Sequence, residues 1–537
     1  MSSWAKLSRC ALAAVFLAAG AAHAQSGKDK PDESDPFFRG GGIPRLVIEL
    51  DDAACEALRK DGRKDVGGKL RENDRTTWEE VKFKLKGAAG SYREFDDTPS
   101  FTVIMDKGDD DQKFHSLRRF QLNKSPQDDT YLHELLASDI YRAAGILAPR
   151  VTHARVWINK RDMGLYVVKE GYDRTLIKRG FDKSGGNLYD GGFCQDINAE
   201  LQRDDGSGPR EREDLKALLK ICTEPDLVKR WAKVPEVIDV KTFITFMAIE
   251  QMLCHWDGYC LNRNNYRLYF DPATKKAVFL PHGMDQLFQD SDFSILDNPP
   301  AIVANAVMKN PVWRADYRKR VGELLPLFNA DKLKKRVDEV AKRLQPVLEA
   351  YNKDAARAHD AAVNGLKQRL EAREKSLKEQ KGQPDPRPLV FQPDQPVRLL
   401  KWRTNSECED ASLTTEKDNG VDLMKIATGN SGRCIASWRR GVLVPKGKYR
   451  FRAVIGSKDV AALEGDTDAP GVGAGLRLSD GKRENSVVGS SDYKLVELDF
   501  EVTEEAADVE LVVELRSSKG FIAIKAESLT LTLVSKK

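Results

Sequence analysis

The sequence predicts an α+β fold, with a long mixed region of strands and helices followed by an all-β sandwich of jelly-roll type. Three observations predict it. A chain of 537 residues exceeds what one ordinary hydrophobic core fills, so two or more folded units are expected. Strand-like and helical runs alternate from Ile43 onward, whereas 398–537 carries alternating strands and turns. Between them, Pro384, Pro386, Pro388, Pro393 and Pro396 mark a semi-rigid linker over 381–397.

At the N-terminus, Lys6 and Arg9 precede the apolar run "CALAAVFLAAGAA", and Ala22-His23-Ala24 offers small residues for cleavage. Residues 1–24 therefore predict a signal peptide and a secreted or periplasmic mature protein starting near Gln25. The run falls short of the roughly 20 apolar residues a membrane span needs. Cys10 opens that run rather than sitting at a cleavage point, so neither a lipid anchor nor a membrane span is expected. Residues 25–42 are polar and rich in Pro and Gly, which predicts a flexible leader. With 87 basic and 83 acidic residues the net charge is only +4, too weak a field for nucleic acid as a partner.

Export makes disulfides possible. Seven cysteines remain after Cys10, and an odd number leaves at least one unpaired. Cys408 with Cys434 is the expected bridge, since both lie in one downstream segment. Cys254 and Cys260 flank Asp257 and either bridge or stay as buried thiols. No cysteine or histidine spacing predicts zinc.

The mixed region spans 43–380. "WEEVKFKLKG" alternates Val81, Phe83 and Leu85 with Lys82, Lys84 and Lys86, the period of a half-buried strand. A glycine turn and the strands "SFTVIM" and "LRRFQL" follow. "DDTYLHELLASDIYRAAG" predicts a helix capped by Asp129 and ended by Gly145, with Leu132, Leu135, Leu136, Ile140 and Ala143 as its buried stripe. "HARVWIN" and "GLYVVKE" are two more strands, and 196–235 reads as a charged insertion. An apolar helix starts at Asp239, and "YRLYFD" and "KAVFLPHG" are strands around a turn. Residues 330–380 are charged helices with Leu333, Val337, Val340 and Leu344 on one face.

That order of elements matches a bilobal protein-kinase fold. The apolar helix delivers the chain to "CHWDGYCLNRNNYRLY", where His255, Asp257 and Asn262 follow the spacing H-x-D-x-x-x-x-N. Such a loop can hold a base near a nucleophilic hydroxyl beside an oxygen ligand for a metal on phosphates. Asp285 in "LPHGMDQLF" emerges from a strand end, where a second metal-binding carboxylate would sit. Hard oxygens of this kind suit Mg²⁺ or Mn²⁺.

Over 43–375 the chain resembles the spore-coat-protein-H (CotH) family of atypical secretory protein kinases. The blocks "FHSLRRFQLN", "DDTYLHELLASDIYRAAGILAPR", "VWINKRDMGLYVVKEGYD", "GGNLYD", "HWDGYCLNRNNYRLY" and "LPHGMDQLF" carry the resemblance. It implies a kinase-like fold, use of ATP, and phosphorylation of Ser or Thr in exported proteins such as those of a spore coat. Residue by residue, it makes Asp257 the catalytic base and makes Asn262 and Asp285 the metal ligands. Lys86-Gly87 would start the phosphate-facing turn, and Glu170 would lie where the chain passes the adenine. Either Glu134 or Asp139 would be the helix acid that pairs with the phosphate-binding cation. The helical wheel favours Asp139, at the centre of the apolar stripe.

One departure stands out. The family often carries lysines in a strand of the type F-K-I-K-F, where this chain has Phe101-Thr102-Val103-Ile104-Met105. Arg119, Lys107 and Lys86 are the cations left to replace them. If none does, the alternative is a pseudokinase-like binding protein whose β-domain engages a cell-surface glycan. Trp402 and Trp438 could stack on sugar rings there, although a core role is the plainer expectation. Plain roles are also expected elsewhere: His255 as a satisfied core histidine, and Asp290 and Asp292 as turn formers. Asn264 and Asn265 are expected to bond the loop.

Overall fold

The computed structural model describes residues 32–535 apart from 89, 106–110, 386, 393–394, 409, 419, 464, 466–470 and 480. The expected signal peptide and Lys107 lie outside the described residues. Contacts divide the chain into two units, Met1–Gln383 and Pro384–Lys537.

The end of the expected flexible leader is ordered, which corrects that expectation. Helix α1 (Asp35–Arg39) buries Phe38. The buried guanidinium of Arg150 holds Asp32 and Asp35, each at 2.8 Å. A buried cation needs such partners, and this one recruits them from the leader.

Seven strands then close a barrel in the order β1-β2-β3-β4-β5-β7-β6: β1 (Arg45–Glu49), β2 (Val66–Glu72), β3 (Thr76–Lys86), β4 (Ser100–Ile104), β5 (Arg119–Asn123), β6 (Val151–Ile158) and β7 (Arg161–Glu170). Phe83, Leu85, Phe101, Val103, Phe120, Leu122, Tyr166 and Val168 fill its interior. Period-two alternation turns Lys84, Lys86, Thr102, Gln121, Asn123 and Lys169 to the outside of β3, β4, β5 and β7. Helix α2 (Asp52–Lys60), capped by Asp51, adds Ala54, Cys55 and Leu58 to the same core.

The rest of this unit is helix-rich. Helix α3 (His133–Ala143) leaves its regular turn before Gly145, as expected. Its start is corrected, because Asp128 rather than Asp129 accepts the His133 N–H, at 2.9 Å. Next come α4 (Arg174–Gly180) and β8 (Leu188–Asp190). The charged insertion contains β9 (Arg203–Asp205), α5 (Glu213–Cys222) and α6 (Leu227–Val237). Helix α7 (Val240–Met252) is capped by Asp239, which accepts the Thr242 N–H at 2.9 Å. The single turn α8 (Tyr259–Asn262) is followed by the hairpin β10 (Tyr266–Asp271) and β11 (Lys276–Pro281), in a sheet of order β11-β10-β8-β9. Helices α9 (Ile302–Met308), α10 (Pro311–Leu324), α11 (Ala330–Tyr351) and α12 (Lys353–Lys381) complete it. Leu333, Val337, Val340 and Leu344 face the helical core, as the spacing predicts.

The second unit is all-β: β12 (Val397–Arg398), β13 (Arg403–Ser406), β14 (Ser412–Asp418), β15 (Val421–Ala427), β16 (Cys434–Ala462), β17 (Gly473–Leu478), β18 (Gly489–Lys525) and β19 (Thr530–Ser535). Its core contains Phe391, so part of the expected linker packs on the strands. Trp438 is buried in that core, and Trp402 stacks on Phe451 with centroids 6.1 Å apart. Both tryptophans serve packing.

All seven cysteines among the described residues are free thiols, so the expected Cys408–Cys434 bridge is not formed. Ladder register brings the two opposite each other, since Ser406 faces Ala436. Burial pushes the Cys434 thiol up to about 12, and the neighbouring Cys408 adds to the rise. Cys254 and Cys260 are buried thiols as well. No helix among the described residues is long and apolar enough to cross a membrane.

Candidate functional site

The outer face of β3, β4, β5 and β7 forms one wall of a cleft of about 770 Å³. Lys84, Lys86, Gly87, Thr102, Arg119, Gln121, Asn123 and Lys169 line this wall. Asp257, Asn264, Asn265, His282 and Asp285 line the wall supplied by the loops around α8 and after β11.

Lys169 of β7 and Glu134 of α3, both in the cleft lining, form a buried ion pair. Lys169 Nζ lies 2.5 Å from Glu134 Oε1, with side chains only 1% and 3% exposed. Asn123 donates to the other Glu134 oxygen at 3.2 Å and accepts from Lys86 Nζ at 2.6 Å. Burial alone would raise the Glu134 carboxyl, but the charges of Lys169 and Lys86 outweigh it and hold the group below its usual value. Burial, reinforced by the charge of Lys169, pushes Lys86 down to about 8. Two cations and an acid thus share one desolvated corner, and a charge removed there leaves its partner uncompensated.

This pair corrects two expectations. Asp139 is not the buried acid of α3: its side chain is 41% exposed and sits 3.2 Å from Arg336. Helix α3 buries His133 and Glu134 as well as Leu135, Leu136 and Ile140 of its expected stripe, whereas Ala143 at its end is exposed, so the core wraps most of the circumference of its first two turns. Glu170 lies outside the cleft lining. It alternates with Lys169 along β7 and so points away, where it accepts from Arg150 at 2.9 Å and Arg179 at 2.6 Å.

Asp257 lines the cleft and is half-buried. Its carboxylate accepts from the amides of Asn262, Asn264 (3.1 Å) and Asn265 (2.7 Å). Asn262, which ends α8, touches Asp257 without lining the cleft itself, whereas Asn264 and Asn265 do line it. His255 is buried with Nε2 3.3 Å from the Gly283 carbonyl, and burial drops its pKa to about 4. It is neutral at neutral pH and braces the loop against Gly283.

Asp285 follows β11, and its backbone carbonyl sits 2.7 Å from His133 Nδ1 on α3. Burial raises its carboxyl above the usual value and the charge of Glu134 adds to this, while Lys169 and Lys86 oppose it. Asp290 and Asp292 stand outside the cleft; Asp290 accepts the Asp292 N–H at 2.9 Å, as a turn former does.

The charged insertion also contributes to the cleft. Arg203 and Asp204 of β9 line the cleft, as do Asp190 and Arg267. Arg267 binds Asp190 at 2.7 Å and lies over the Tyr172 ring at 5.2 Å. The expected residues Lys86, Gly87, Arg119, Glu134, Asp257 and Asp285 therefore share one cleft. Lys169 is the residue that sequence reasoning missed.

A hard cation would meet suitable donors here. Among the described residues no three His, Cys, Asp or Glu side chains form a ready-made metal cage. A magnesium-type ion in a phosphate-transfer site needs only one or two carboxylates, with phosphate oxygens and water completing its shell. Asp285, raised by burial beside a second acid, is the carboxylate that a cation would relieve.

Comparison with known proteins gives the same direction. A family model described as CotH kinase protein matches residues 83–377, more than half of the chain. Invasin CotH2 of Rhizopus delemar is 25% identical over 367 residues, covering 59% of this chain and 61% of that protein. Inner spore coat protein H of Bacillus subtilis is 20% identical over 292 residues, covering 50% of this chain and 79% of that protein. The chain thus spans less than two thirds of the length of the invasin relative. Among solved structures, TmCBM61 in complex with beta-1,4-galactotriose covers 25% of this chain and 90% of that chain at 14% identity, with a TM-score of 0.19. A likeness that distant carries no argument.

Proposed function

Since the chain belongs to the CotH kinase protein family, we propose that it is an exported, ATP-dependent phosphotransferase acting on Ser or Thr hydroxyls of extracytoplasmic proteins. The observation that carries this reading is the buried Lys169–Glu134 pair in the same cleft as Asp257 and Asp285. Phosphoryl transfer asks a protein mainly for positioning and for positive charge around the phosphates. Lys169, aligned by Glu134, would supply that charge, with Lys86 and Arg119 on the same wall. The barrel and the helix-rich remainder of the first unit would act as the two lobes of a kinase-like domain.

Asp257 would accept the proton of the attacking hydroxyl. The amides of Asn264 and Asn265 hold its carboxylate in one orientation while leaving it at the cleft surface. Asp285, with phosphate oxygens and water, would hold Mg²⁺ or Mn²⁺, which when bound neutralises charge on the phosphates. Asn262, outside the cleft lining, would steady Asp257 instead of serving as the expected ligand. Glu134 would then keep the lysine from pairing with Asp285 instead.

The alternative, a binding protein of the same fold, rested on the lack of a lysine at 101–105. Lys169 stands two strands away in the barrel order and supplies a cation to the cleft. Calorimetry with ATP and Mn²⁺ separates the readings. The phosphotransferase reading expects binding by the wild type that weakens in Asp285→Ala and Lys169→Met. Absence of nucleotide binding in the wild type would leave only the alternative.

A further inference from the structure

We propose that Glu250 is a positioning residue for Asp257, pinning the loop that carries it from a neighbouring helix. The inference rests on the proposed phosphotransfer role of Asp257, and its geometry stands apart from that role. Glu250 lies on α7 and is buried. One carboxylate oxygen accepts the Tyr259 N–H at 2.9 Å and the other accepts the Cys260 N–H at 3.0 Å. Its backbone carbonyl accepts the His255 N–H at 3.0 Å. A single residue therefore ties the chain down on both sides of Asp257.

The opening of α8 needs such a partner. The first N–H groups of any helical turn lack partners within it. Gly258, at the N-cap of α8, provides no side-chain cap, and Glu250 supplies the missing acceptors from α7. Gly258 also makes room for them. A Cβ at that position would lie 2.5 Å from Glu250 Oε1 and 3.0 Å from His255 Nδ1. A side chain there would displace the carboxylate or the loop.

The charge state fits a switchable anchor. Burial raises the Glu250 carboxyl to about 7, against the opposing hydrogen bonds from Cys260 and Tyr259. The other titratable groups that face it are His255, Cys260 and Tyr141. His255 is held at about 4, and burial pushes the Cys260 thiol and the Tyr141 hydroxyl well above their usual values. Among these groups Glu250 is the one that changes charge near neutrality, and protonation turns one of its two oxygens into a hydroxyl that donates and accepts only weakly.

Glu250→Gln is close in shape, keeps one acceptor and turns an amide NH₂ against the second N–H. With full-length mature protein, the expected result is a kcat lowered about 10- to 100-fold, as for other residues that orient a site group from outside. KM for ATP should stay unchanged, and any acid limb of kcat near pH 7 should disappear. Gly258→Ala should lower kcat in the same way from the other side of the contact. Hydrogen exchange at the Tyr259 and Cys260 amides gives a readout independent of activity and should quicken in Glu250→Gln. Wild-type kcat with unchanged exchange in both variants would overturn the proposal. Should the wild type transfer no phosphate at all, the proposed function fails, and the exchange rates alone decide whether Glu250 anchors the loop.

Discussion

Replacing Lys169 by Met should destabilise the protein in a pH-dependent way. The side chains of Lys169 and Glu134 are almost wholly buried and meet at 2.5 Å. Removing one partner of such a pair typically costs about 3–5 kcal/mol, because the other charge stays buried and unpaired. Lys86, which reaches Glu134 through Asn123, places the expected loss at the lower end, about 3 kcal/mol at pH 8. In the wild type the Glu134 carboxyl is held below its usual value, so it contributes stability above that value and loses it as pH falls through the folded one. In Lys169→Met burial acts with less opposition and raises the carboxyl. The loss should therefore be full at alkaline pH and shrink as pH falls and Glu134 takes up a proton. Urea denaturation of both proteins at pH 8 and pH 5.5 measures this. Adding Glu134→Gln should restore most of the stability without restoring nucleotide binding, which separates the structural role of the pair from its role toward ATP. A Lys169→Met protein within about 1 kcal/mol of wild type at both pH values would refute the reasoning.

Three further outcomes follow from the same physics. Glu250, raised to about 7 from an ordinary 4.5, favours the folded state at acid pH and loses that contribution as pH rises through 7. The stability of Glu250→Gln relative to wild type should accordingly grow by about 3 kcal/mol between pH 4.5 and 8, read from denaturant midpoints. Arg150→Met frees Asp32 and Asp35 and strips one cation from Glu170; it should cost about 3 kcal/mol and speed tryptic cleavage after the exposed Arg39. Asp139→Asn weakens partly exposed contacts to Arg336 and Arg142, so it should shift stability by less than about 1 kcal/mol and leave ATP binding unchanged.

Much of the fold is legible in the sequence because period and punctuation are local. Alternation in "WEEVKFKLKG" gives both the barrel-facing Phe83 and the cleft-facing Lys84 and Lys86. Asp239 caps α7 as the pattern predicts. The site is legible where spacing along the chain equals proximity, as for Asp257 with Asn262. It fails where burial is decided by distant segments. The helical wheel of "HELLASDIYRA" points to Asp139 rather than Glu134, because what covers Glu134 is Lys169 from β7 and Asn123 from β5, neither visible in the helix itself. The local signal for Lys169 was present: a Lys-Glu step ends the apolar run "GLYVV", where both charges need partners. Glu250 gave no comparable signal, because its contacts at Tyr259 and Cys260 depend on how the loop folds back.

The most direct test of the account is transfer from γ-labelled ATP, with Mn²⁺ or Mg²⁺, into the protein itself and a protein acceptor. Mass spectrometry identifies the modified residue and the group added. The account predicts phosphoserine or phosphothreonine formed by the wild type and none by Asp257→Ala. Undiminished transfer by Asp257→Ala, or transfer of the nucleotidyl rather than the phosphoryl group, would contradict it.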